Sequence, residues 1–179
     1  MPSLTRAHTA DLDVATLAEL RGFLHEAFEG DVSDYDWQNT IGGLHVLARE
    51  DGELVGHASV VQRRLVHAGV GIRTGYVEAV AVRSDRRRRG LGSTLMASVE
   101  DIVRRAYELG ALSAAGRAAP LYVRRGWIRW EGPTWALSPE GPLRTVDEDG
   151  GVYVLPTPTS PTLAVADPIA CDWRPGDVW

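Results

Sequence analysis

Residues 86–92 read RRRRGLG, and Ser93 follows them at the head of the clearest helical pattern in the chain. A strand that runs into a glycine-rich turn and then into a helix is a device for holding phosphates. Glycine lets the backbone approach closely, the first-turn amides have no intrahelical partner, and the helix dipole favours an anion there. The spacing is Arg87-x-x-Gly90-x-Gly92. It fits neither the three-glycine dinucleotide pattern nor the P-loop, whose lysine this chain cannot supply because it contains none. Carboxylates gather elsewhere: Asp31, Asp34 and Asp36 in one segment, Asp147, Glu148 and Asp149 in another, and Asp177 near the last residue.

The overall balance is acidic, with a formal net charge of -5. Nucleic-acid binding draws its affinity from neutralising phosphates, so a cationic ligand is the better match and no nucleic-acid partner is expected. The single cysteine, Cys171, excludes an internal disulfide and a clustered-cysteine metal site, and is expected as a buried structural thiol. His8, His25, His45, His57 and His67 lack metal-ligand spacing, so structural or surface roles and no metal are expected. No apolar run approaches the roughly 20 residues that span a bilayer, and the first residues carry no secretory signal. A cytoplasmic protein without a membrane partner follows as the expectation.

The elements that must position these residues can be read from periodicity. Leu17, Leu20, Leu24, Ala27 and Phe28 predict an amphipathic helix over 13–29, with Thr16 and Glu19 as its capping box. The segment DVSDYDWQNTIGG reads as a loop or short helix. Residues 44–66, turning at Asp51-Gly52, predict a hairpin, and TGYVEAVAV at 74–82 another strand. Leu95, Met96, Val99, Ile102, Val103 and Ala106 predict a helix over 93–109, with Gly110 ending it. Then follow a short strand in ALSAA, a small helix around PLYVRR, and strands at WIRWEGPTWAL and GVYVLP. One α+β domain over 1–179 is expected, with an extended, proline-rich segment at 156–179 that docks through its two tryptophans near the substrate site.

The stretch VEAVAVRSDRRRRGLGSTLM resembles the acetyl-coenzyme A motif of the GNAT superfamily of N-acetyltransferases, and residues 119–127, APLYVRRGW, resemble a later segment of that superfamily. GDVSDYDW, GYVEAVAV, LYVRRGW, EGPTWALSPEGPLRT and CDWRPGDVW together resemble the aminoglycoside 2′-N-acetyltransferases from end to end. The resemblance implies the GNAT fold, a central mixed and mostly antiparallel twisted sheet with a splayed central strand, flanked by helices. It implies acetyl-coenzyme A as cosubstrate, an aminoglycoside acetylated at its 2′-amine as substrate, and a homodimer.

The resemblance also implies site residues. The pantetheine arm pairs with the backbone of Val80, Ala81 and Val82, and the Val80 amide polarises the thioester carbonyl. The pyrophosphate lies on the backbone from Arg87 to Ser93, including Gly90 and Gly92, aided by some of Arg87, Arg88 and Arg89; for Arg86 a solvated side chain is expected at least as readily as a ligand contact. Glu78, two residues before Val80 and so on the same strand face, is the general-base candidate. Tyr122 is the acid for the departing thiolate. Asp31, Asp36, Glu78, Ser113, Glu148, Asp177 and Trp179 are expected at the substrate, Trp179 offering an indole wall and a carboxylate. The alternatives are a GNAT enzyme for another amine (a cell-wall amino sugar, a polyamine or a protein N-terminus) and a non-catalytic acetyl-coenzyme A-binding sensor.

Overall fold

The computed structural model describes residues 2–114 and 118–179. The chain divides into two compact units, Met1–Val61 with Val77–Asp101 and Gln62–Tyr76 with Ile102–Trp179. In chain order the elements are β1 (Ser3–His8), α1 (Val14–Ala27), α2 (Asp34–Thr40), β2 (Leu44–Glu50), β3 (Glu53–His67), β4 (Val70–Val82), α3 (Leu91–Ala106), β5 (Leu109–Ser113), α4 (Ala119–Arg124), β6 (Ile128–Arg129), β7 (Thr134–Ser138), β8 (Gly141–Arg144), β9 (Val152–Pro156) and β10 (Ile169–Asp172). The strand β3 changes unit after Val61, and β4 after Tyr76.

In the first unit β1 pairs with β2 and β2 with β3, both antiparallel. The strand β1 escapes sequence reading because its burial is almost uniformly exposed, leaving no hydrophobic alternation; the ladder to β2 holds it, with Arg6 donating to Ser98 Oγ at 2.8 Å and to Asp101 at 2.7 Å. Helix α1 starts at an Asp13 cap, whose carboxylate accepts from the Thr16 amide at 2.7 Å. The expected Thr16–Glu19 capping box does not form; Glu19 instead pairs with Arg49. Leu20, Phe23 and Leu24 of α1 bury against Leu47, Leu54 and Ala81, each such burial worth about 1.5–3 kcal/mol. Gly56 of β3 is a close-approach position: a Cβ there would lie 3.0 Å from Leu95 Cδ1 and 3.3 Å from Leu91 Cδ2.

In the second unit the strands run β6-β9-β5-β4-β3-β10-β7-β8. The β4–β5 and β7–β10 pairs are parallel and the other recorded pairs are antiparallel, so the sheet is mixed. The β4–β5 ladder holds three pairs and stops at Tyr76. Helix α3 ends at Ala106, and Gly110 is not its cap but a residue of β5. A Cβ at Gly110 would lie 3.0–3.2 Å from Val103, Leu155 and Trp127, which explains the glycine by packing rather than by helix termination. The predicted ALSAA strand is β5 shifted two residues earlier; Ala115 lies outside the described residues.

The predicted WIRWEGPTWAL strand is two elements, β6 paired with β9 and β7 paired with β8 and β10. The break sits where Gly132 presses on the Asp167 carbonyl, which a Cβ would meet at 2.1 Å. The C-terminal segment packs within this unit through Trp179, while Trp173, expected to help, is exposed. The segment supplies β10, its Asp167 carbonyl accepts from the fully buried Trp130 indole at 2.9 Å, and His67 bonds both Pro168 O and Ala164 N. Cys171 is buried in β10, its thiol pushed up to about 11 by desolvation, which keeps it protonated and unreactive.

Candidate active site

In the first unit, β4 carries Glu78 and Val80 on either side of Ala79, which adopts φ 47°. A left-handed residue inside a strand is a bulge, and the two-residue alternation of side chains does not run through it. The expectation that Glu78 and Val80 share a face by simple alternation therefore loses its basis. Two side chains attend the bulge: Ser59 Oγ lies 3.5 Å from Glu78 O, and His57 Nδ1 lies 2.9 Å from Ala79 O.

After Val82 the chain passes through a short 3-10 turn, Ser84–Arg86, and reaches α3. Thr94 N donates to Gly90 O, but among the described residues no backbone amide from Arg88 to Ser93 donates to a protein acceptor. Six consecutive donors thus surround a helix start, with Arg88 and Arg89 exposed beside them. Gly90 has φ 85° and Arg88 φ 59°, so the turn needs left-handed backbone at two places and fills one with a costly residue type. The other two arginines are already engaged. Arg87 donates to Val82 O at 3.1 Å and Ala27 O at 2.9 Å, bracing the turn against the end of α1. Arg86, expected to be solvated, pairs with Glu50 and Asp85, each at 2.6 Å.

Of the early acidic segment, Asp31 is exposed, whereas Asp36 closes a capping box at the start of α2, accepting from Ser33 N and Oγ at 2.8 Å. Asp34 pairs with Arg21 at 2.5 Å.

In the second unit Tyr122 of α4 is 6% exposed, with its ring 6.2 Å from that of Trp127 and 6.1 Å from that of Tyr153. Burial pushes its phenol up to about 12, so it stays protonated at neutral pH. Ser113, the last residue of β5, donates to Glu148 Oε2 at 2.9 Å. Desolvation raises the Glu148 carboxyl, the Ser113 hydrogen bond opposes that, and the charges of Asp177 and Asp147 add to the rise. Asp149 differs from its neighbour: it accepts from Arg144 and from both Thr134 N and Oγ1, and is held down to about 2.

Trp179 corrects an expectation. Its indole is 2% exposed and donates to Thr145 Oγ1 at 3.0 Å, so it anchors the segment from inside instead of presenting a wall. Arg174 brackets it, donating to Asp177 O and Trp179 O at 2.7 Å, and the Trp179 amide reaches Asp177 Oδ1 at 3.1 Å.

The acetyltransferase (GNAT) family model matches residues 13–127. The chain belongs to the GNAT acetyltransferase family. It is 49% identical over 174 residues to an aminoglycoside 2′-N-acetyltransferase of Mycolicibacterium fortuitum, covering 96% of this chain and 89% of that one. Among solved structures it resembles the GNAT family N-acetyltransferase YhbS of Escherichia coli in complex with CoA, with TM-score 0.64, 15% identity and coverage of 94% and 88%. It also resembles Escherichia coli ElaA, with TM-score 0.62, 18% identity and coverage of 86% and 99%. At those identities the structural likeness speaks to the fold, and the fold is the GNAT fold that the sequence implied.

The GNAT family uses acetyl-coenzyme A, and the YhbS structure that the chain resembles holds CoA. Among the described residues no group of three or more histidine, cysteine or acidic side chains is arranged to hold a metal ion, and no helix is long and apolar enough to cross a membrane. Sequence reading missed Arg174 and Thr145, which fix Trp179, and, while expecting structural or surface roles for His45 and His57, did not foresee that they pair. Arg174 sits in CDWRPGDVW beside residues that were singled out; nothing in the sequence marks the histidine pair, since they lie 12 residues apart on different strands.

Proposed function

We propose that this GNAT enzyme transfers the acetyl group of acetyl-coenzyme A to the 2′-amine of aminoglycosides, and so is capable of conferring resistance to them. The observation that carries the reading is the 49% identity to the M. fortuitum enzyme over 96% of the chain. Local chemistry supports it on both substrate classes. The amides of Arg88 to Ser93, with Gly90 and Gly92 allowing close approach and Arg88 and Arg89 adding charge, suit a pyrophosphate. Ser113, Glu148 and Asp177 suit a sugar bearing ammonium and hydroxyl groups.

In this reading the backbone of Val80, Ala81 and Val82 holds the pantetheine arm, and the Val80 amide donates to the acetyl carbonyl. Glu78 accepts a proton from the 2′-ammonium, freeing the amine to form the C–N bond as the C–S bond breaks. Tyr122 supplies the proton that the departing thiolate takes up. Arg87 acts through the turn it braces. Asp31 and Asp177 are offered as acceptors for substrate amines, and Asp36 through whatever acceptor capacity its capping bonds leave. Trp179 holds Asp177 in place through its backbone amide.

A cytoplasmic location goes with the use of acetyl-coenzyme A. A homodimer belongs to the same proposal, supported by the exposed Leu137 and Leu143 on the β7–β8 hairpin and tested by mass in solution. The activity is tested by following free thiol release with tobramycin, which has a 2′-amine, against a related aminoglycoside with a 2′-hydroxyl. Release with the amine alone is expected; release with neither or equally with both overturns the assignment.

A further inference from the structure

His45 and His57 in the first unit are both fully buried, and their protons can be assigned one by one. His57 Nδ1 lies 2.9 Å from the carbonyl oxygen of Ala79, which can only accept, so Nδ1 carries the proton. His57 Nε2 is then an acceptor, and it lies 3.0 Å from His45 Nδ1, which must donate. His45 Nε2 is then the acceptor facing Thr9 Oγ1 at 2.8 Å, whose one hydroxyl proton it shares with the Gly43 carbonyl at 3.2 Å and whose oxygen accepts the Gly42 amide at 2.8 Å. The result is a directed chain, Thr9 to His45 to His57 to the bulge carbonyl. Both rings are uncharged in it, in keeping with burial that lowers His57 to about 3 and His45 to about 4.

The chain ends at a particular peptide. Ala79 sits at φ 47°, a conformation that is unfavourable for a non-glycine residue and persists only where its surroundings dictate it. The Ala79 carbonyl and the Val80 N–H are opposite ends of one planar group. Holding the carbonyl fixes the direction of the N–H, and a hydrogen bond accepted at one end strengthens donation at the other. An apolar pair would fill the same space without four ring nitrogens to satisfy, so the histidines serve something beyond packing.

We infer that His57, held in register by His45 and Thr9, is a positioning residue that aims and polarises the Ala79–Val80 peptide for catalysis. The inference rests on the proposed role of the Val80 amide as the donor to the acetyl carbonyl. A further consequence is that the chain transfers no proton during turnover; its contribution is orientation and polarisation.

The test uses two replacements that remove the same ring. His57→Asn places an amide nitrogen where Nδ1 stood and keeps the donor to Ala79, whereas His57→Gln places one nearer Nε2 and loses it. For His57→Gln we expect kcat to fall about 30-fold, below the 10²–10³ typical of deleting an oxyanion donor itself, with KM for acetyl-coenzyme A within about threefold of wild type. His57→Asn should return kcat to within about fivefold of wild type. The infrared band of a ¹³C-labelled acetyl carbonyl, bound without amine, should lie below that of free acetyl-coenzyme A and move back toward it in His57→Gln. Equal loss of kcat in both variants, or an unmoved band in His57→Gln, overturns the inference. An unshifted band in the wild type overturns the Val80 reading itself and the inference with it. Should neither variant fold, Thr9→Val must move the band part of the way and lower kcat about threefold; no change in either overturns the inference.

Discussion

Ser113 Oγ donates to Glu148 Oε2 across 2.9 Å, and the same carboxyl is raised by desolvation and by the neighbouring charge of Asp177. A carboxylate in that state is ready to exchange poor solvation for a cation. Aminoglycoside KM is therefore expected to rise as pH falls toward the raised Glu148 value, because the protonated form attracts no ammonium. Glu148→Gln should raise that KM by about tenfold at neutral pH, a loss of about 1.4 kcal/mol, and flatten its acid dependence. Initial rates across pH 5.5–8 check this, with KM for acetyl-coenzyme A as the internal reference. Stability should not fall in the variant, since a carboxyl whose folded value is raised is destabilising when ionised.

Tyr122 has its phenol pushed up to about 12, the protonated state that a donor to a thiolate needs. Tyr122→Phe is expected to lower kcat by about 10²–10⁴, the range of a lost general acid, while the dissociation constant of acetyl-coenzyme A stays within about twofold. No alkaline fall in kcat from this residue should appear below pH 9. Unchanged turnover in the variant would remove the acid role.

At the start of α3 the backbone should matter more than the arginine count. Gly92 lies in the first turn among amides that donate to no protein acceptor among the described residues, and Arg86 is already tied to Glu50 and Asp85. Calorimetric titration with coenzyme A is expected to show Gly92→Val weakening binding by about tenfold or more, and Arg86→Ala by less than about threefold. The reverse order would make the run a charged surface and not a cradle.

The histidine pair also sets an acid limit on stability. Free histidine titrates near 6.5, whereas His45 and His57 are lowered to about 4 and about 3. Between those values the unfolded chain binds protons that the native chain refuses. Stability is therefore complete above about 6.5 and falls as pH drops through the window toward 4, by up to about 1.4 kcal/mol per pH unit for each ring. Melting temperatures from pH 7.5 to 4.5 should trace this fall. His57→Asn should shallow it, and identical slopes would locate the acid sensitivity elsewhere. Asp149, held down to about 2, loses its contribution only in a lower window.

Much of the fold was legible because short-range rules govern it. The stripe from Leu95 to Val103 announced α3, alternation announced β2 and β3, and the Arg87, Gly90 and Gly92 spacing announced a turn running into a helix start. Where partners distant in sequence decide, local rules failed. Nothing local to Ser3–His8 makes a strand; its partner Leu44–Glu50 does. Gly110 looked like a helix stop and is a packing contact with Val103, Leu155 and Trp127.

The candidate site divides in the same way. From sequence alone came the residue types that chemistry requires: glycines and amides for a phosphate, Glu78 and Tyr122 for proton transfer, and carboxylates for a cationic sugar. Only the tertiary structure showed which side chains already serve another structural task. Asp36 caps a helix, Asp149 is locked to Arg144 and Thr134, Arg87 braces a turn and the Trp179 indole is an anchor. It also revealed the His45–His57 chain reaching the Ala79 bulge. The reason is physical: a side chain's type is written at its own position, but its hydrogen-bond partners and its exclusion from water are properties of whatever the fold packs beside it.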